Sequence, residues 1–177
     1  MKKLFSIVLI LTLAVSLAAC GETKIANPWR DVTEEEAVQN CVRLFRAPEG
    51  AENVKWSLMD STEAGLSPMV QLTFDLDGLS FTARAQQGAA EDADLSGLYY
   101  NWMTTEDTTL ANWGEGRMEA TVRRTEVDGK ALDLCTWYDV EIGIGYTLSV
   151  LADDLDGFDI RAVAEAMYDP AHEPEIP

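Results

Sequence analysis

Between residues 50 and 152 the apolar residues of this chain fall mostly at every second position, and on either side of that stretch they recur at helical spacing. The alternation is clearest from Met69 to Gln86, with Asp77-Gly78 at its centre. An Asp-Gly pair between alternating runs suits a two-residue hairpin turn, because both central positions need positive φ. A turn there pairs Leu76 with Leu79, Phe74 with Phe81, Leu72 with Ala83 and Val70 with Ala85, all on one face. The other face then pairs Asp75 with Ser80, Thr73 with Thr82 and Gln71 with Arg84. A one-residue slip would invert every side chain, so the turn and the burial pattern fix the same register independently.

Val54, Trp56 and Leu58 predict a further strand before this hairpin. Met118, Ala120 and Val122 predict one after it, followed by a turn at Asp128-Gly129. An even connection there sets Val122 against Cys135 and Ala120 against Trp137. A turn around Gly143 to Ile144 would then set Trp137 against Val150, with Leu148 and Tyr146 on the same face. This register leaves Leu132 and Leu134 on the opposite side, as edge residues or under the irregular segment. Residues 88–114 lack clean periodicity and predict a long excursion over one end of the sheet, carrying a short helix or an edge strand.

Thr33-Glu34-Glu35-Glu36 reads as a capping box opening a helix with the apolar stripe Val38, Cys41, Val42 and Phe45, ending near Arg46 before Pro48 and Gly50. At the other end Asp156 is a plausible N-cap, with Asp159 in the first turn and Ile160, Val163, Ala164 and Met167 as the stripe. The expected fold class is therefore α+β: an antiparallel sheet of about six strands with an N-terminal and a C-terminal helix packed on one face.

Composition narrows the function classes. At 177 residues there is room for one domain. The chain has 31 acidic against 13 basic residues, a formal charge of -18. That argues against nucleic acid, which needs a basic face. The apolar content, 47%, supports a core rather than disorder.

Lys2 and Lys3 precede an uncharged apolar run from Leu4 to Ala19, too short to span a bilayer as a helix. The run ends in Leu17-Ala18-Ala19-Cys20-Gly21, which resembles the lipobox of bacterial lipoproteins. The resemblance implies cleavage before Cys20 and a diacylglycerol on its sulfur, with the mature protein lipid-anchored on the outer face of a bacterial cytoplasmic membrane. The expected organisation is a signal peptide over 1–19, a tether over 20–32, one domain over 33–168 and a disordered tail over 169–177. Loss of residues 1–19 removes two lysines and no acid, leaving 11 basic against 31 acidic residues and a charge of -20. Anionic headgroups repel such a domain, so the acyl chains hold it at the membrane.

The segment Leu134-Cys135-Thr136-Trp137, then Gly145-Tyr146-Thr147-Leu148-Ser149, then the stripe Ile160, Val163, Ala164 and Met167, resembles a domain of unknown function. That domain occurs in extracytoplasmic lipoproteins and anti-sigma-factor-like membrane proteins of Gram-positive bacteria. The likeness implies a small α+β module without known catalysis and transfers no site residues.

Candidate chemistry is sparse. Cys41 and Cys135 could form one disulfide in an oxidising compartment, or remain two buried thiols, the reading favoured by Cys41's place on an apolar stripe. His172, the one histidine, lies in the Pro-rich tail, where nothing orients it as a base. Asp153-Asp154-Leu155-Asp156-Gly157 has the look of a calcium loop, yet Ala152 and Val163 occupy the first and twelfth ligand positions. Glu91, Asp92 and Asp94 form an acidic loop better read as solvated than as a calcium site. Tyr99, Tyr100, Trp102 and Trp113 are the candidate partner-binding residues, since aromatics in an irregular segment can form a hot spot. No cofactor is expected. The leading expectation is a non-enzymatic binding or accessory domain engaging a protein partner. The alternatives are a calcium-dependent module associated with cell wall or glycan and, less favoured, a small carboxylate-based hydrolase.

Overall fold

In a computed structural model that describes residues 27–172, the chain is built around one antiparallel sheet. Its strands are β1 (Trp29–Val32), β2 (Glu52–Met59), β3 (Met69–Leu76), β4 (Leu79–Gln87), β5 (Thr104–Leu110), β6 (Met118–Val127), β7 (Lys130–Asp139) and β8 (Ile144–Ala152). The order across the sheet is β1-β2-β3-β4-β8-β7-β6-β5. Two four-stranded meanders thus meet where β4 pairs with β8, and the chain must cross from the middle of the sheet to its far edge between β4 and β5.

Both Asp-Gly turns form where the sequence places them. Asp77 and Gly78 have φ of 51° and 81°, Asp128 and Gly129 have 51° and 77°, and these positive angles give the tight connections their twist. All seven pairs expected across β3 and β4 are present, from Leu76 opposite Leu79 to Val70 opposite Ala85. Val122 faces Cys135 and Ala120 faces Trp137.

The expected α+β class is corrected. The described residues hold eight strands rather than about six, and only α1 (Glu34–Gln39) and α2 (Ile160–Ala166) are α-helical, so the fold is mainly β. Both strands beyond the six lie at edges. β1 falls within the segment read as tether, and β5 within the irregular excursion, where it takes the edge-strand alternative. The helix expected to reach Arg46 stops at Gln39: Thr33 Oγ1 accepts from the Glu36 amide as a cap should, but Asn40 closes the helix by donating to Glu36 O at 2.8 Å. Tertiary contacts then claim the chain. Arg43 turns inward to the buried Asp139, its carbonyl accepts from Tyr146 Oη at 2.7 Å, and the Arg46 amide donates to Met167 O. Val42, expected on the buried stripe, is exposed. At α2 the N-cap is Asp159 rather than Asp156, its carboxylate accepting from the Arg161 amide at 3.0 Å.

The β7–β8 register also differs. Trp137 faces Tyr146 rather than Val150, and Asp133 faces Val150. The turn comes earlier than expected because Asp139 Oδ1 accepts from the amides of Glu141 and Ile142, while the Gly143 amide closes on Asp139 O at 2.8 Å. An Asx turn therefore sets the connection. The slip is an even number of positions, so each side chain keeps its face.

The first face of the sheet carries the main core. Leu58, Leu72, Phe74, Phe81, Leu148 and Val150 lie under Leu44, Phe45, Ile160 and Met167. Trp137 stacks on Tyr146 at 5.2 Å between centroids, and Trp113 meets Trp137 edge-on at 5.3 Å. Aromatic pairs of this kind add roughly 0.5–1.5 kcal/mol each beyond their burial. Cys41 and Cys135 both lie in this core as free thiols, so packing rather than a disulfide joins the N-terminal segment to the sheet.

Candidate functional site

The second face is polar along most of its rows. One row crosses all eight strands: Asp31, Ser57, Gln71, Arg84, Thr147, Thr136, Thr121 and Asp107. The crossover of residues 88–103 runs over this face on its way to β5. It leaves β4 tightly: Gly88 has φ of 83°, and a Cβ there would stand 2.2 Å from the Gly65 carbonyl oxygen. Three anchors then hold it. Tyr138 Oη donates to Ala89 O at 3.0 Å, Arg84 donates to the carbonyls of Leu95 and Ser96 at 2.9 and 2.7 Å, and Thr125 Oγ1 donates to Asn101 O at 2.9 Å. Leu95 packs where Gly145 leaves room. The same cover explains Leu132 and Leu134, which face this side and are buried there.

Between its anchors the crossover leaves a groove of about 820 Å³ over β6 and β7. The floor is Thr121, Arg123, Leu134 and Thr136; Asp107 and Thr109 of β5 and Glu119 of β6 border it, and Glu91, Asp92, Asp94 and Trp102 line it from the crossover. The volume lies in the range of ligand-binding clefts. Five carboxylates, Glu91, Asp92, Asp94, Asp107 and Glu119, face one guanidinium, Arg123. Two of the polar groups are positioned by neighbours: Thr121 Oγ1 donates to Asp107 at 3.1 Å, and Arg123 donates to Thr136 Oγ1 at 3.2 Å. Asp94 is held in a turn, accepting from both the amide and the hydroxyl of Ser96. The arrangement is a negatively charged trough with a hydroxyl-bearing floor and an aromatic wall, suited to a polar, cationic occupant.

The structure separates the predicted aromatics. Trp102 is half-buried and lines the groove. Tyr99 and Tyr100 are 85% and 44% exposed on the crossover, Tyr100 bordering a smaller hollow of about 180 Å³ with Leu98, Leu132 and Leu151. Trp113 is on the other side of the sheet: 1% exposed, it donates from Nε1 to Ala164 O at 2.9 Å and packs on Trp137, Tyr146 and Tyr168. It is a core residue that docks α2. Cys41 and Cys135 are buried, and burial pushes both thiols up to about 12, so neither is a nucleophile. Cys20 and the signal segment lie outside the described residues, as do residues 173–177. His172 closes the short 3₁₀ turn Pro170–His172.

The acidic loops are turns rather than ion cages. Asp154 accepts from the Asp156 amide at 2.8 Å, and Asp153 lies 3.3 Å from Lys130. Among the described residues no group of three or more Asp, Glu, His or Cys is arranged to hold a metal ion. Asp107, Glu119, Thr121, Arg123 and Thr136 escaped sequence reasoning as site residues. Glu119, Thr121, Arg123 and Thr136 looked like solvent-side partners in an ordinary alternation, Asp107 lay in the stretch without periodicity, and only strand pairing gathers them. No known protein family, curated protein or solved structure matches this chain.

Proposed function

We propose that the protein is a lipoprotein held by Cys20 on the outer face of a bacterial cytoplasmic membrane, where its β-domain acts as a non-enzymatic binding or accessory module that engages a protein partner at the groove on the second face. The observation that carries this reading is the groove itself, an open acidic trough over β6 and β7 beside the crossover.

The geometry suits a tethered receptor. β1 begins at Trp29, nine residues after Cys20, and lies at the edge of the sheet opposite β5 and the groove. With neighbouring strands about 4.8 Å apart, the two edges of an eight-stranded sheet are separated by roughly 34 Å. A binding site at the far edge is therefore carried away from a membrane that attaches near β1. Among the described residues no helix is long and apolar enough to cross a membrane.

Two experiments test the two halves of the reading. Cys20→Ser is expected to move the protein from the membrane fraction to the soluble fraction and to abolish palmitate labelling; retention in the membrane overturns the anchor. For the site, Thr121→Trp fills the groove floor from a half-exposed strand position. Crosslinking on intact cells followed by purification is expected to lose the specific partner with Thr121→Trp and to keep it with Tyr99→Ala. Equal recovery with both variants overturns the groove.

A further inference from the structure

We infer that the free edge of β5 is a docking strand, and that the occupant is an extended, lysine- or arginine-bearing segment of the partner, which pairs with β5 as a ninth strand and extends its basic side chains over the groove. This deepens the groove reading above and rests on it.

The two edges of the sheet are treated differently by the sequence. An exposed edge offers a row of unpaired N–H and C=O groups, and proteins blunt it by shortness, proline, lysine or bulges. β1 is blunted: it has four residues, follows Pro28, and carries Arg30, paired to Glu36 at 2.6 Å. β5 is not. It has seven residues, Thr104–Leu110, with no proline or basic residue, and its pairing to β6 runs without a bulge. Four of its residues are threonine, a good strand former, and all but Thr108 and Leu110 are exposed.

Charge selects the occupant. Two copies of β5 pairing antiparallel through their centres would set Asp107 against Asp107, Glu106 against Glu106, or Glu106 against Asp107, depending on register. Like charges directly opposite destabilise a pair, so a second copy of this chain is disfavoured. A basic segment meets the reverse situation. On the groove side of β5 the exposed positions are Thr105, Asp107 and Thr109, and their neighbours across on β6 are Arg123, Thr121 and Glu119. A lysine opposite Asp107 contacts it directly. One opposite Thr109 reaches over that residue toward Glu119, two strand spacings of about 4.8 Å away. A third, opposite Thr105, would approach Arg123. The edge thus favours basic side chains at two alternate positions and penalises a basic one at the next. Main-chain pairing supplies affinity and the charge pattern supplies selectivity, the usual division in strand addition.

The test uses the full chain, purified from membranes in uncharged detergent, and three synthetic peptides of about eight residues. The first alternates lysine and threonine. The second has the same sequence with alternate backbone nitrogens methylated, so that charge is kept and edge pairing is lost. The third alternates glutamate and threonine. Binding is followed by titration, and amide hydrogen exchange is followed residue by residue. The lysine peptide is expected to bind and to slow exchange in residues 104–110, with its methylated form at least about tenfold weaker and the glutamate peptide not bound. Asp107→Lys, an exposed substitution, is expected to abolish binding of the first peptide and to permit binding of the third. Equal binding of the lysine peptide and its methylated form overturns strand addition in favour of charge attraction alone. Protection of residues 104–110 without peptide, accompanied by dimers in sedimentation, assigns the edge to a second copy and overturns the inference. No binding of any peptide also overturns it, and the crosslinking experiment above then decides separately whether the groove takes a partner of another chemistry.

Discussion

Replacing Asp139 by alanine is expected to cost about 3–5 kcal/mol, the range for breaking a buried ion pair by deleting one partner. The Asp139 side chain is 1% exposed and that of Arg43 is 5% exposed. One carboxylate oxygen takes the Arg43 guanidinium, and the other accepts from the amides of Glu141 and Ile142 at 3.0 and 3.3 Å. Deletion therefore takes a buried carboxylate from the guanidinium and removes the Asx turn at the same stroke. A second carboxylate, Glu141, lies 3.8 Å from Arg43 but is 66% exposed and offers partial compensation, which favours the lower half of the range. At roughly 3 °C per kcal/mol for a domain of this size, the lower half of that range corresponds to a fall in the melting temperature of about 9–12 °C.

Urea unfolding followed by far-ultraviolet dichroism gives the free energy directly. Three companions make the measurement decisive. Arg43→Met combined with Asp139→Ala should be less destabilised than Asp139→Ala alone, because the buried guanidinium is removed along with its buried carboxylate. Asp139→Asn keeps an acceptor for the turn amides and should fall between wild type and Asp139→Ala. Glu36→Gln, which breaks the surface pair to Arg30, should cost no more than about 1 kcal/mol. A loss below about 1 kcal/mol for Asp139→Ala at unchanged urea slope would refute the reasoning, as would a double variant less stable than the single one.

Three further outcomes follow from the same structure. Trp113→Ala should cost about 3–5 kcal/mol, as for other buried aromatics, and Tyr99→Ala less than about 0.5 kcal/mol; similar urea midpoints for the two variants would contradict the separation of these aromatics between core and surface. Cys41 and Cys135, with thiols pushed up to about 12 by burial, should resist a thiol-specific reagent at pH 8 in the folded protein and react in 6 M guanidinium; labelling of the folded chain at the unfolded rate would count against both burials. The Arg161 side chain and amide hold the Asp159 carboxyl below its usual range, so its contribution to stability is present above the unfolded value near 4 and is lost as pH falls through the lower folded value. Asp159→Asn keeps the cap and should flatten the fall in melting temperature below pH 4, whereas an unchanged acid profile would show that Asp159 contributes nothing to it.

What the sequence disclosed follows the range of the interactions involved. The β3–β4 hairpin was legible because its turn residues and its apolar alternation are both local and agree. α1 was over-extended because Val38, Cys41, Val42 and Phe45 keep helical spacing, yet the chain at Arg43 is claimed by Asp139, nearly a hundred residues away. No local pattern records that partner. β5 was missed as a defined strand for the opposite reason: Thr-Thr-Glu-Asp-Thr-Thr is wet on both faces and has no buried row to create an alternation. Of the groove, Trp102 is a candidate in the sequence, the acids of the 91–94 loop read there as solvated, and the rest leaves no signal, because β5, β6 and β7 each contribute a few unremarkable polar residues.

One signal for the covered second face was nevertheless present. In β7 the residues Leu132 and Leu134 take one parity while Cys135 and Trp137 take the other, so the strand is apolar on both sides. A strand buried on both faces reads this way, and an antiparallel strand with one wet face does not. Treated as a constraint rather than as a cost, that double parity requires a second layer over β7, and the long connection of residues 88–103 is what supplies it. The polar residues flanking Leu134 on the same parity, Thr136 on β7 and Arg123 and Thr121 on β6, then mark where the cover ends. The groove is therefore encoded as a change of polarity along one side of two paired strands, which becomes readable once their register is known.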